Sequence, residues 1–245
     1  MSTKTLVGRT VLLMGVVVLL GGLCVPERCV AQEADPDPHG AAIGSGSVTA
    51  PSPWANLIVP VHQRIDLKLY GFYIGELNVP SAQVDVPIRA TKFLTITPSY
   101  LYYSVPANGL DELANMSGAF TDSYDEHQFR IDGTVGFAVG GFRIAARNMY
   151  VRRFRPDPAE DSNRYRGRIG VAHPLLVNGH PWRPFASYEA YYDRGNGGWN
   201  KDRVWTGVTV PLNTHVSFEP SYLWERSDGL KNINYLLFGL IVKAK

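Results

Sequence analysis

Apolar and polar residues alternate with a period of two along most of this chain, which is the pattern of half-buried β-strands. In the segment 128–137, apolar residues or glycine occupy every second position and polar residues fill most of the others. The segments 163–172 and 215–225 repeat the pattern. The segment 109–117 is the one helix candidate. The pattern therefore predicts an all-β protein.

Ten strands are predicted, separated in turn by short and longer connections. Their approximate bounds are 64–74, 83–88, 92–104, 127–138, 142–154, 163–175, 182–193, 201–211, 214–226 and 232–243. Alternating connection lengths, an even strand count and strands of roughly 10–13 residues are typical of transmembrane β-barrels. A sheet in lipid must close on itself, because every backbone group needs a partner there. We predict a closed antiparallel up-and-down barrel of about ten strands (range roughly eight to twelve), with both chain ends on the periplasmic side.

One phrase occurs twice along the chain. The segments Val84–Tyr103 and Val208–Glu225 both run V-x-V-P-aliphatic, then a polar break containing Thr, then P-S-Y-L and an aromatic residue. We interpret each copy as one hairpin. Proline lacks an amide donor, so we expect the prolines of both copies near strand ends.

The N-terminus has the features of a cleaved secretory signal. Lys4 and Arg9 precede the apolar run Thr10–Val25, which is short for a membrane-spanning helix, and Ala31 ends a small-residue cleavage pattern. Both cysteines precede that site, so the 214 residues after it contain no thiol.

Three regions follow from this interpretation: a signal peptide at 1–31, a flexible leader at 32–53 that is rich in Pro, Gly, Ser and Ala, and a barrel at 54–245. The whole chain has 24 basic and 22 acidic residues. Removing the signal takes three basic residues and one acidic residue, which leaves 21 of each. This balance gives no indication of a nucleic-acid partner.

Aromatic residues gather toward strand ends, as the interfacial girdles of membrane barrels do. They are Tyr100, Tyr102, Tyr103, Tyr150, Trp182, Tyr188, Tyr191, Tyr192, Trp205, Tyr222 and Trp224. A soluble lipocalin-like barrel is the alternative, since its core also needs aromatic residues. The two differ in direction, because a soluble barrel has its apolar face inside.

From about Asp125 onward the chain resembles the bacterial outer-membrane barrel family catalogued as domain of unknown function 2490. The resemblance is carried by "NRYRGRIG" at 163–170, "SYEAYYD" at 187–193 and the segment 201–225. It implies an outer-membrane location and no assigned reaction. The chain departs from many outer-membrane barrels by ending in "FGLIVKAK", so an aromatic assembly signal would rest on Phe238.

The polar faces of the predicted strands carry many charges. We predict that these form a charge network in a narrow lumen: Arg130, Asp132, Arg143, Arg147, Arg164, Arg166, Arg168, Arg183, Glu189, Arg203, Glu219 and Glu225. Arginine and carboxylate groups in such a space can pair and fill it. Surplus arginine could instead line a small anion-favouring passage or a binding pocket.

Enzyme chemistry has weaker support. His215, Ser217 and Glu219 form the best triad-like grouping, but residues two apart on one strand do not converge as a nucleophile, base and orienting group must. Neither G-x-S-x-G nor H-E-x-x-H occurs. We therefore name no catalytic, metal or cofactor-binding residue and expect no cofactor.

The expected function is that of an outer-membrane barrel with a structural, passive solute-transport or surface-interaction role. A lipid-modifying hydrolase of the outer membrane and a secreted lipocalin-like binding barrel are the alternatives. The expected partners are outer-membrane lipid and lipopolysaccharide, together with the barrel-assembly machinery and periplasmic chaperones during biogenesis.

Overall fold

A computed structural model describes residues 46–75, 77–106, 123–155, 161–194, 198–228 and 231–244. Their strands are β1 (Ser47–His62), β2 (Ile65–Ile74), β3 (Val79–Asp85), β4 (Ile88–Arg89), β5 (Leu94–Val105), β6 (Tyr124–Val139), β7 (Phe142–Phe154), β8 (Ser162–Ala172), β9 (Leu175–Val177), β10 (His180–Asp193), β11 (Gly198–Pro211), β12 (Val216–Ser227) and β13 (Asn232–Lys243). In these ranges no helix is long and apolar enough to cross a membrane. The predicted signal peptide and the helix candidate at 109–117 lie outside them.

Eleven of these strands form a closed wall. Its order is β1, β13, β12, β11, β10, β8, β7, β6, β5, β3 and β2, and β2 pairs back to β1. The two short strands extend their neighbours: β4 pairs with β2 and β5 as β3 does, and β9 pairs with β10 as β8 does. The predicted closed barrel is confirmed, with eleven strands in place of about ten.

The additional strand is β1, which begins within the predicted leader. Residues 47–53 are strand in the structure, and only the part before them is left for a leader. In this stretch Val48, Ala50 and Ser52 are buried while Pro51 and Pro53 are exposed, so the alternation is present. The proline-rich composition concealed it.

The first and last strands of the wall run in the same direction. β1 pairs in parallel with β13 from Ser47 opposite Asn232 to Ile58 opposite Lys243. A ring with an odd number of strands must contain one such parallel pair, and all the other pairings are antiparallel. The wall therefore starts at the end with the longer connections and finishes at the end with the short turns. The described wall thus starts and finishes at opposite ends of the barrel, whereas the prediction placed both chain ends on one side.

Charged side chains point into the barrel and apolar ones point outward. On β6, Phe129 and Ile131 are 57% and 53% exposed, whereas Arg130 and Asp132 are 9% and 6% exposed. A soluble barrel has the reverse arrangement. The lipocalin-like alternative is therefore wrong, and the wall has the apolar outer face of a transmembrane barrel.

The short connections are tight hairpin turns. Gly140 and Gly141 join β6 to β7 with φ of 57° and 85°, and Asn178 and Gly179 join β9 to β10 with φ of 50° and 79°. Two successive residues at positive φ match the right-handed twist of the flanking strands. The strand ends that flank the longer connections, those of β2, β5, β7, β10 and β12 on one side and of β3, β6, β8, β11 and β13 on the other, lie at the opposite end of the barrel.

Both copies of the repeated phrase are hairpins, as predicted. The first lies in β3, β4 and β5, and the second lies in β11 and β12. Pro87 and Pro211 lie at a strand break and a strand end, but Pro98 and Pro220 lie inside β5 and β12, contrary to prediction. Pro98 still takes part in the sheet because its carbonyl accepts a hydrogen bond from the Val86 amide at 3.0 Å.

Tyrosines form a girdle on the outer face near the longer connections. Seven outward-facing tyrosine hydroxyls there lie at hydrogen-bond distance from a polar side chain: Tyr73 with Asn78, Tyr100 with His127, Tyr102 with Asp125, Tyr150 with Asn163, Tyr165 with Asn148, Tyr188 with Asp202 and Tyr222 with Asn234. The oxygen–oxygen and oxygen–nitrogen distances are 2.5–2.9 Å. Amphipathic rings of this kind suit a membrane–water interface. Three predicted girdle residues, Tyr103, Tyr191 and Trp205, face the lumen instead.

Candidate functional site: the barrel lumen

The predicted charge network lies on the lumen side of the wall. Arg147, Arg168, Glu189, Arg203 and Glu225 are successive cross-strand neighbours on β7, β8, β10, β11 and β12. They form a belt across five adjacent strands, because residues opposite each other in a sheet share a face.

The carboxylate of Glu189 lies at the centre of this belt. It accepts hydrogen bonds from Arg147 at 2.6 Å, Arg166 at 2.9 Å and the Tyr191 hydroxyl at 2.8 Å. One buried carboxylate is thus shared by two guanidinium groups. Charge-assisted bonds of this kind are the strong ones in a dry environment.

A second centre lies next to the first. Glu225 forms ion pairs with Arg203 and with Lys201, the latter at 2.7 Å. The Tyr191 ring lies between the two centres and contacts four cationic groups: Arg164, Arg166, Lys201 and Arg203, at 4.5–5.9 Å from its centroid. The negative face of an aromatic ring attracts cations at these distances.

A third centre lies toward the longer connections. Arg153 bridges Glu126 at 2.6 Å and Asp193 at 3.4 Å, and Arg164 contacts Asp193 at 2.8 Å. The carboxylates of all three centres are almost inaccessible to solvent. Buried charges are costly unless they are paired, and these are paired.

Several members of the network were not predicted. They are Glu126, Arg153, Tyr191, Asp193 and Lys201. Each lies an even number of residues from a predicted lumen residue on its own strand; for Arg153 that residue is Arg147. This even spacing could have identified them as lumen residues. Because they lie near the ends of the predicted strands, their positions suggest loops or the aromatic girdle instead.

Other predicted residues have no carboxylate or arginine partner. Among the described residues no carboxylate lies at salt-bridge distance from Arg130 or Arg168, and Arg143 and Arg183 lie exposed at the short-turn end. Asp132 accepts a hydrogen bond from Thr134 at 3.0 Å, and Glu219 accepts one from Thr209 at 2.7 Å.

The inner wall has two different halves. We call the lumen side of β6, β7, β8, β10 and β11 the charged arc. We call the lumen side of β13, β1 and β2 the apolar arc. Buried residues on the apolar arc include Ala50, Ile74, Ile233, Tyr235 and Leu237. The arginine and glutamate side chains of the predicted network therefore lie along one side of the lumen.

Trp54 is the largest residue of the apolar arc, and a glycine makes room for it. A Cβ atom on Gly239, the neighbouring position of β13, would lie 2.1 Å from the Trp54 ring. Only glycine allows the indole to lie flat against the strand, since real Cβ contacts do not approach so closely.

A cavity of about 350 Å³ separates the two arcs. Its charged side is lined by five arginines and two carboxylates: Arg130, Arg147, Arg166, Arg168, Arg203, Asp85 and Glu189. Its other side is lined mainly by Trp54, Phe72, Ile74, Leu223, Tyr235 and Leu237. The lumen thus contains an amphipathic space, at the low end of the volumes of ligand pockets.

The histidines do not form a catalytic set in the described structure. His215 lies in the turn before β12, where its backbone amide donates to Asn213, and Glu219 is bonded to Thr209. The His173 ring contacts the Pro174 carbonyl and the Phe142 ring. Within the described ranges, no group of three or more His, Cys, Asp and Glu residues could hold a metal ion.

Comparisons with known proteins bear on the family. Among solved structures, LpxR from Salmonella typhimurium matches with a TM-score of 0.46 and 7% identity, over 73% of this chain and 83% of that chain. The siderophore receptor PirA from Pseudomonas aeruginosa matches with a TM-score of 0.26 and 12% identity, over 71% of this chain and 35% of that chain. At these TM-scores, neither structure indicates an activity or a ligand for this protein. The curated proteins gave no match.

The family model described as "Protein of unknown function (DUF2490)" matches residues 61–235. That range contains β2 to β12 and the charged arc, but of the apolar arc it contains only β2 and the edges of β1 and β13. Since the match spans well over half of the chain, the protein belongs to the DUF2490 family.

Proposed function

We propose that the protein is a barrel of the bacterial outer membrane whose lumen is closed by paired side chains. Its role is then structural or in binding, and solutes do not diffuse through it. The apolar outer wall and the tyrosine girdle support a membrane location. The signal-like features of residues 1–31 support export across the inner membrane.

The observation that carries this proposal is the burial of the paired charges. The side chains of Glu225, Asp193 and Glu189 are only 3%, 4% and 7% exposed. Charges that line an aqueous pore remain hydrated, whereas these have exchanged water for arginine and lysine partners. A narrow lumen filled in this way is a polar core, as in small barrels whose side chains fill the interior.

Planar bilayer recording tests the closed lumen directly. The purified full-length barrel should give no stepwise conductance under conditions in which a porin added to the same lipid conducts. Steady steps with anion preference, reduced by Arg166→Ala, would show that the lumen is an open passage and would overturn the proposal.

Cell fractionation tests the proposed location. The protein should fractionate with the outer membrane, together with its lipid and lipopolysaccharide, and should change gel mobility on heating as folded barrels do. N-terminal sequencing of the exported form should begin at Gln32. Recovery as a soluble protein without detergent would contradict the proposed location. Depletion of the barrel-assembly machinery or of periplasmic chaperones should lower the folded amount.

A further inference from the structure

The cavity between the two arcs has an excess of positive charge on its polar side. Of its two carboxylates, Glu189 is shared by Arg147 and Arg166, and Asp85 accepts a hydrogen bond from Gln83 at 2.6 Å. Because Arg203 is already paired with Glu225, the other four arginines face these two acidic groups. A buried excess of this kind favours an anion, because an unpaired charge in a dry space is costly.

Two of these arginines have no acidic partner. Arg130 donates to the side-chain oxygens of Gln128 at 2.6 and 2.9 Å and of Gln83 at 3.0 Å, and it also interacts with the Tyr103 hydroxyl. Arg168 lies over the Trp205 ring, 5.9 Å from its centroid. No carboxylate in the described ranges lies within salt-bridge distance of either guanidinium. Both line the cavity.

Further donors in the cavity wall are buried without an acceptor. They are the Nε atoms of Arg147 and Arg166 and the Nε1 atoms of Trp54 and Trp205, none of which hydrogen-bonds to the described protein. Buried polar groups in folded proteins normally have partners. These four nitrogens have almost no accessible surface, so they lie behind the lining and do not themselves face the cavity.

The opposite wall has the chemistry of a hydrocarbon pocket. Phe72, Ile74, Leu223 and Leu237 line the cavity, and so does Trp54. An inorganic anion would leave this surface without a partner. A neutral hydrocarbon would leave the arginines without one.

We infer that the cavity binds a small amphiphilic carboxylate, with its head at Arg130 and Arg168 and its chain against Trp54, Phe72 and Leu237. At roughly 30 Å³ per water-sized group, a volume of about 350 Å³ holds about eleven such groups. A saturated carboxylate of about eight carbons fits that space. This inference rests on the proposed closed lumen, which keeps the cavity separate from bulk water.

Equilibrium dialysis with radiolabelled octanoate tests the inference. The full-length barrel is placed in phospholipid nanodiscs, since a detergent could occupy the same cavity, and uptake by empty nanodiscs is subtracted. Saturable binding of octanoate is expected. Octanol and acetate, which each lack one half of the ligand, should bind at least about tenfold more weakly.

The matched variants are R130Q/R168Q and R183Q. Arg183 lies on the same inner face but is exposed at the short-turn end, so R183Q should bind octanoate as the unaltered protein does. The double variant should bind about tenfold to a hundredfold more weakly, because it loses charge-assisted contacts to the head. Equal binding by R130Q/R168Q and R183Q would overturn the inference.

Quenching of tryptophan fluorescence by bromo-octanoate gives a second test, which keeps Arg130 and Arg168 unaltered. Trp54 and Trp205 line the cavity, whereas Trp182, Trp199 and Trp224 lie elsewhere on the wall. Saturable quenching should disappear in W54F/W205F, while non-saturable quenching from lipid should persist. Unchanged saturable quenching would overturn the inference. A silent bilayer without octanoate binding would refute this inference alone, whereas a conducting bilayer would refute the closed lumen.

Discussion

The charged arc and the apolar arc form the same barrel wall by different means. On the charged arc the paired guanidinium groups depend on particular oxygens, such as those of Glu189 and Glu225. On the apolar arc, Ile233, Tyr235 and Leu237 are held by packing alone. Loss of one partner on the charged arc leaves a buried charge, while loss of a side chain on the apolar arc leaves a gap. The comparison separates directional from non-directional stabilisation within one protein.

The largest effect is expected from Glu189→Gln, which leaves Arg147 and Arg166 without their shared charge. Breaking a buried ion pair in this way costs about 3–5 kcal/mol. Urea unfolding of the barrel in lipid should show a correspondingly lower midpoint. Asp161→Asn is the matched control, because the Arg152–Asp161 pair is exposed and such pairs contribute about 1 kcal/mol or less. Equal midpoints for the two variants would mean that the charged arc is hydrated.

A truncation on the apolar arc should have the next largest effect. Leu237→Ala removes a buried side chain and is expected to cost about 3 kcal/mol of unfolding free energy. Leu236→Ala on the outer face should cost much less, because lipid chains can occupy the space. The same unfolding assay compares them. If Leu236→Ala proved the more costly, the apolar arc would not be a packed core.

Overpacking of the apolar arc should have a moderate effect. Gly239→Ala places a methyl group against the Trp54 ring, and such insertions cost about 1–3 kcal/mol. The displaced indole should also change the tryptophan emission. Gly133→Ala on β6 is the control, since nothing lies within 4 Å of its added methyl group. An unshifted emission spectrum in Gly239→Ala would contradict the close packing of Trp54.

The smallest effect is expected on the outer face, where neither arc is involved. Tyr150→Phe removes the hydrogen bond to Asn163 and should lower the unfolding free energy by about 1 kcal/mol. Tyr192→Phe is the control, because its hydroxyl has no hydrogen-bond partner among the residues described. A loss in Tyr150→Phe as large as that in Glu189→Gln would place the main polar stabilisation in the girdle.

The sequence predicts the charged arc better than the apolar arc, for a physical reason. On β6 and β8 the two faces differ strongly in polarity, so alternation shows which residues point inward. On β13 the run Leu236–Val242 is apolar on both faces, so its period conveys no direction. In β1 the prolines concealed an alternation that is present. Alternation along a strand therefore shows which residues point inward only where the two faces differ in polarity.

The cavity could not have been predicted from periodicity. Its lining comes from most of the strands of the wall, and its volume depends on how Trp54, Trp205 and the arginines orient across the lumen. The sharing of Glu189 between Arg147 and Arg166 likewise depends on the register between β7, β8 and β10. Register is set by turns and by packing across the whole wall, which no single strand encodes.

The parallel contact between β1 and β13 has a consequence for assembly. These two strands are the first and last of the wall, and together with β2 they provide the apolar side of the internal chamber. A polypeptide still lacking its final segment can pair its arginines with its acids but cannot enclose a hydrocarbon tail. Occupancy of the chamber would therefore report that the cylinder has sealed.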